Sequence, residues 1–127
     1  MTARILVVDD EPDLEDLIQQ KFRHQIRDGS VGFLFARDGV EALTVLEANQ
    51  DVDLVVTDIN MPRMDGFDLI AKVRSLPRHK HLPILVISGD TDLNTPTRLR
   101  SLGADAYLPK PYSPAEVRQT LERLLNE

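Results

Sequence analysis

Three short apolar runs in this chain end abruptly in charge, and no other feature limits its possible folds as much. Ile5–Val8 runs into Asp9 and Asp10, Leu54–Val56 into Asp58, and Tyr107–Leu108 into Lys110 and Pro111. Short runs that are continuously apolar and β-branched are expected of strands buried on both faces, the situation in a parallel sheet. If the three are neighbouring parallel strands, their carboxyl ends open on one side of the sheet, where doubly wound folds bind ligands. Three carboxylates and one ammonium then share a pocket. Two like charges about 4 Å apart repel by roughly 4 kcal/mol at an effective dielectric near 20, so such a pocket requires protons or a cation. Oxygen ligands, with no Cys in the chain and no His pair nearby, favour a hard ion. So few protein ligands suit Mg²⁺, which keeps waters and accepts phosphate oxygens. Lys110 reads as a point charge for a phosphate.

Between these runs the hydrophobic period changes from strand to helix and back. Strands are predicted at Ile5–Val8, Val31–Ala36, Leu54–Thr57, Pro83–Ile87 and Ala106–Leu108, the second of them at an edge because it is less uniformly apolar. Leu14, Leu17, Ile18, Phe22 and Ile26 predict one helix from Pro12 to just before Asp28-Gly29. Val40, Leu43 and Leu46 mark a second helix, and Phe67, Ile70 and Val73 a third with Asp65 as N-cap. A fourth opens with Thr95 as cap and Pro96 as first residue and closes at Gly103. Ser113-Pro114-Ala115-Glu116 offers a capping box for the fifth. Regular alternation implies right-handed crossovers, so the expected class is α/β: a doubly wound, five-stranded parallel sheet covered on both faces.

The 127 residues fit one domain with one core, residues 1–127, and no output domain is expected after the last helix. A net charge of −6 argues against a nucleic-acid surface. No apolar stretch approaches membrane-spanning length, and a cytoplasmic location is the default expectation.

Asp9-Asp10, Asp58, Ser88 and Lys110-Pro111, each following a predicted strand, resemble the receiver domain of two-component response regulators. The surrounding segments Ile5-Leu-Val-Val-Asp-Asp-Glu11, Val56-Thr-Asp-Ile-Asn-Met-Pro62 and Gly103-Ala-Asp-Ala-Tyr-Leu-Pro-Lys-Pro111 are similar to that family's signature stretches. The resemblance covers nearly the whole chain. It implies a flavodoxin-like fold with strand order 2-1-3-4-5. It makes Asp58 the acceptor of a phosphoryl group from the phosphohistidine of a sensor histidine kinase or histidine phosphotransfer protein. Asp10, Asp58 and the Asn60 carbonyl would hold Mg²⁺, with Asp9 acting largely through water. Lys110 and the Ser88 hydroxyl would take phosphoryl oxygens, and Asn60 and Asp90 would flank the path of hydrolytic water. The resemblance further implies a cis Lys110–Pro111 bond and a switch in which Ser88 and Tyr107 move together. That switch would reshape the face of the fourth helix, fifth strand and fifth helix for a downstream protein or output domain.

Other readings fit less well. A phosphohydrolase of the haloacid dehalogenase type would also form an aspartyl phosphate with Mg²⁺, but it places its nucleophile after the first strand in an Asp-x-Asp pattern. Here that strand ends in adjacent Asp9-Asp10. Ser88 lacks the Gly-x-Ser-x-Gly elbow of a hydrolase. His79 and His81 straddle Lys80 in what reads as a solvated basic loop, without other ligands. The fourth helix is polar, with Arg98 and Arg100, so a monomer is expected.

Overall fold

The computed structural model describes residues 2–90 and 92–126; the expected domain limits, Met1 and Glu127, lie outside the described residues, as does Thr91. β1 (Ala3–Val8), β2 (Val31–Ala36), β3 (Leu54–Thr57), β4 (Ile84–Ser88) and β5 (Ala106–Pro109) form one sheet in the order β2-β1-β3-β4-β5. Every neighbouring pair is parallel. The register builds the site. Val8 pairs with Thr57, so the next residues, Asp9 and Asp58, leave the sheet side by side. Ser88 pairs with Pro109, so Lys110 leaves beside Gly89.

Successive side chains of a strand point to opposite faces, and the core divides accordingly. Leu6, Val8, Val55, Ile84 and Val86 face one way, against Ala42 and Leu46 of α3 (Gly39–Ala48), Leu69, Ile70 and Val73 of α4 (Gly66–Ser75) and Leu99 of α5 (Thr95–Leu102). Ile5, Val7, Leu54, Val56, Leu85 and Ile87 face the other way, against Leu14 and Ile18 of α1 (Pro12–Lys21) and Val117, Leu121 and Leu124 of α6 (Pro114–Leu125). This is the doubly wound arrangement expected of alternating strands and helices. No helix among the described residues is long and apolar enough to cross a membrane.

Three local expectations change. The first predicted helix is two, because Phe22 leaves helical geometry (φ −109°, ψ 17°), and α2 (Arg23–Asp28) follows. Phe22 is buried and meets Phe33 of β2 edge to face, with centroids 5.5 Å apart. Thr95 does not cap α5; it is the first helical residue, and its hydroxyl donates to Asp90 Oδ2 at 3.2 Å. His79 is not solvated. It sits in a 3-10 turn (Pro77–His79) with only 5% of its surface exposed. The other expected caps follow the sequence, Asp65 capping α4 and Ser113 and Glu116 forming the reciprocal box of α6, and the structure adds Asp38 as the cap of α3.

At the opposite end of the sheet from these carboxylates, Arg74 binds several segments together. Its guanidinium donates to the carbonyls of His79, Leu82 and Gly103 and to Asp105 Oδ2. Its side chain is 18% exposed.

Candidate functional site

Asp58 follows the last residue of β3 and is 7% exposed. Its Oδ1 accepts the amide of Ile59 at 2.6 Å, and its Oδ2 lies 3.3 Å from Lys110 Nζ. Asp9 is half-buried, and its Oδ1 accepts the Glu11 amide at 2.9 Å. Asp10 is exposed. The structure brings these residues together: one carboxylate oxygen from each of Asp9, Asp10 and Asp58 lies within 4.8 Å of the other two.

The electrostatics show the strain of this grouping. Burial first, and then the negative charges of Asp58 and Asp10, push the Asp9 carboxyl up to about 6, against the opposing pull of the Glu11 amide and Lys110. Burial works against the Lys110 ammonium, yet the charges of Asp58 and Asp9 outweigh it and its pKa is raised. One ammonium faces three carboxylates, so the protein's own charges leave an excess of negative potential. An oxygen-rich, anionic and partly wet cluster suits a small hard divalent ion. Asn60 is exposed directly after Ile59, and its main-chain carbonyl accepts no hydrogen bond among the described residues. It is therefore available as a further oxygen ligand. The donor set fits Mg²⁺.

On the other side of the pocket, Ser88 is fully buried at the end of β4, and its Oγ accepts the Asp90 amide at 3.1 Å. The Lys110 amide donates to the Ser88 carbonyl at 2.8 Å, and the Lys110–Pro111 bond is cis. The Tyr107 hydroxyl donates to the Asp90 carbonyl at 3.3 Å; burial, then the nearby Asp90 charge, raises its pKa. Ser88 and Tyr107 are thus joined through one residue, Asp90. Its own carboxylate accepts from the Asp92 amide and the Thr95 hydroxyl.

Two parts of the site escape sequence reasoning. Gly66 lies so close to the acceptor that a Cβ there would collide with the Asp58 carbonyl oxygen and approach Ile59 Cα to 2.8 Å. The Asp-Gly pair at 65–66 reads as a cap and helix start, with no hint of that contact. Asp38 and Arg63 form an ion pair at 2.7 Å across 25 positions of sequence, which no local pattern signals.

The response regulator receiver domain family model matches residues 5–122. Chemotaxis protein CheY1 of Helicobacter pylori is 36% identical over 122 residues, which cover 96% of each chain. Response regulator MprA of a Mycobacterium species is 36% identical over 125 residues, covering 98% of this chain and 51% of MprA. The solved structure of the chemotaxis response regulator CheY4 of Vibrio cholerae superposes with a TM-score of 0.81 at 31% identity, covering 98% of this chain and 99% of CheY4. With the sheet order, the converging carboxylates and these relatives in agreement, the chain belongs to the response regulator receiver domain family of two-component signalling.

Proposed function

We propose that the chain is a phosphorylatable switch and that Asp58 is its acceptor. A partner sensor histidine kinase or histidine phosphotransfer protein supplies the phosphoryl group from a phosphohistidine. A carboxylate oxygen of Asp58 forms the new P–O bond, the P–N bond breaks, and its electron pair returns to the imidazole nitrogen. The observation that carries this reading is the meeting of the Asp9, Asp10 and Asp58 carboxylates with the single Lys110 ammonium at the carboxyl end of the sheet.

Each side chain has a task in that chemistry. A carboxylate is a poor nucleophile toward an anionic phosphoryl group, so catalysis rests on position and charge. Asp58 is held by the Ile59 amide and faces Lys110. Lys110 exchanges its long contact with Asp58 for one with a phosphoryl oxygen, offsetting charge that builds during transfer. The buried Ser88 hydroxyl takes another oxygen by giving up the Asp90 amide. Asp10, Asp58 and the Asn60 carbonyl would hold Mg²⁺, with Asp9 reaching it through water. When bound, the ion supplies the positive charge that the protein's own groups lack. Slow hydrolysis of the acyl phosphate then resets the switch, which makes the protein a signalling element rather than a turnover enzyme.

The outward signal follows from the Asp90 linkage. Movement of Ser88 toward the phosphoryl group disturbs the loop whose carbonyl holds Tyr107, and this biases the packing of α5, β5 and α6. That face, which carries the polar helix with Arg98 and Arg100, would then bind a downstream protein or output domain. The chain itself acts as one receiver domain and as a monomer.

The test is a mass measurement. The protein is incubated with Mg²⁺ and a small acyl phosphate donor, and its intact mass is recorded beside that of Asp58→Asn. One added phosphoryl group in the parent and none in the variant supports the assignment. Equal labelling of both, or steady turnover of a phosphate ester, contradicts it.

A further inference from the structure

The segment from Asp58 to Gly66 is closed at its neck and pinned at its tip. At the neck the Gly66 amide donates to the Ile59 carbonyl at 2.7 Å. At the tip the Met64 amide donates to the Pro62 carbonyl at 2.7 Å, and Arg63 between them has φ +65°. A three-residue turn with a positive φ at a residue other than glycine is rare and strained, and such strain persists only where the surroundings enforce it.

The surroundings here come from the start of α3. Asp38 is 4% exposed and uses both carboxylate oxygens: Oδ1 accepts the Glu41 amide at 2.8 Å as the helix cap, and Oδ2 takes Arg63 Nε at 2.7 Å. The next residue strengthens the attachment. The Gly39 amide donates to the Met64 carbonyl at 3.3 Å, and a Cβ at position 39 would stand 2.7 Å from Met64 Cγ. Glycine or asparagine would occupy position 63 with less backbone strain. Local stability therefore does not account for an arginine there, whereas a guanidinium aimed at a buried, doubly engaged carboxylate does.

We propose that Asp38 and Arg63 are positioning residues for the acceptor segment, holding its tip so that the Asn60 carbonyl faces the carboxylates of Asp9, Asp10 and Asp58. The inference rests on the reading of that cluster as a Mg²⁺ site. Neither residue touches the reacting atoms. Both act through the backbone between neck and tip, where Pro62 already has a fixed φ and Asn60 has no hydrogen bond of its own among the described residues to set its direction.

Positioning separates from stabilisation because the two move in opposite directions at position 63. Arg63→Gly relieves the backbone while removing the pin. Its melting temperature without metal should stay level or rise, while its Mg²⁺ dissociation constant, measured by calorimetric titration of magnesium chloride without donor, should increase about two- to fivefold. Arg63→Asn, which also tolerates positive φ, should do the same. Asp38→Asn keeps a capping oxygen and should weaken Mg²⁺ to the same degree, and combining it with Arg63→Gly should add nothing further. Arg118→Ala, which breaks a surface ion pair on α6, should leave the constant unchanged. Unchanged Mg²⁺ affinity in Arg63→Gly and Asp38→Asn, with the parent binding normally, overturns the positioning role alone. A parent that binds no Mg²⁺ overturns the site reading and the positioning role together.

Discussion

Arg74 and Lys110 are both partly buried cations, yet the protein uses them in opposite ways. Arg74, at the amino end of β4, is saturated: three carbonyls and a carboxylate from separate segments converge on its guanidinium. Lys110, at the carboxyl end of the same sheet, has one side-chain partner among the described residues, at the long distance of 3.3 Å, and faces more negative charge than it can neutralise. A planar fork with fixed donors suits a permanent staple, whereas a point charge on a flexible stem suits exchange between partners. One end of the sheet is therefore closed around its cation. The other leaves its cation undersaturated, which is the condition for binding something new.

The contrast breaks most visibly at Arg74. Arg74→Ala takes the guanidinium from four acceptors, of which the His79 carbonyl keeps the Leu82 amide and Asp105 Oδ2 keeps the Ile84 amide, and is expected to cost about 3 kcal/mol of stability in urea denaturation, while labelling by a small phosphodonor continues. Arg74→Lys should recover less than half of that loss, because an ammonium cannot reproduce the fork. If Arg74→Ala is as stable as the parent, the staple is misread. Lys110→Met should give the reverse pattern: a modest change in denaturation midpoint, with a labelling rate lower by about 100-fold, or roughly 2.7 kcal/mol of barrier. A smaller effect is expected from metal. Mg²⁺ at ten times its dissociation constant should stabilise the parent by about 1.4 kcal/mol and should do so far less in Asp58→Asn. Scanning calorimetry with and without chelator reads this directly.

The smallest effect concerns Asp38, whose carboxyl is held below its usual range first by Arg63 and then by the Glu41 amide. A carboxyl depressed in the folded state contributes stability that is present above its unfolded pKa near 3.8 and is lost as pH falls through the lower folded value. The stability gap between the parent and Asp38→Asn should therefore be constant from pH 7 to about 5 and close below about 4. Because Arg63 is largely exposed, the gap should be within the small range of half-exposed ion pairs. A gap that widens in acid would reverse the sign of the argument.

What the residues disclose in advance depends on how local the cause is. Strand ends were legible because β1 and β3 are apolar on both faces, the run that becomes β5 is short and apolar, and all three stop at charge, so the sequence alone places Asp9, Asp58 and Lys110 at one rim. The helix break at Phe22 was not, since Leu14, Ile18, Phe22 and Ile26 keep an unbroken spacing of four, and the packing that buries Phe22, including its meeting with Phe33 of β2, is between distant segments. His79 looked solvated among Arg78, Lys80 and His81, but the turn that Arg74 grips folds it under. Thr95 looked like a cap until Asp90, five residues earlier, claimed its hydroxyl. Asp38 and Arg63 meet only after the sheet has brought two loops together. Signals set by period and composition could be read from the chain; those set by contacts between distant segments needed the fold.

The neck at Ile59 and Gly66 and the tip at Arg63 make the acceptor loop a ring of set length. Identity at its exposed positions is freer than their number. A single residue inserted between 59 and 66 would have to undo one attachment to keep the other, and the loss would fall on the Asn60 carbonyl just inside the neck. Drift in this loop is therefore confined to substitution, with lengthening and shortening closed off.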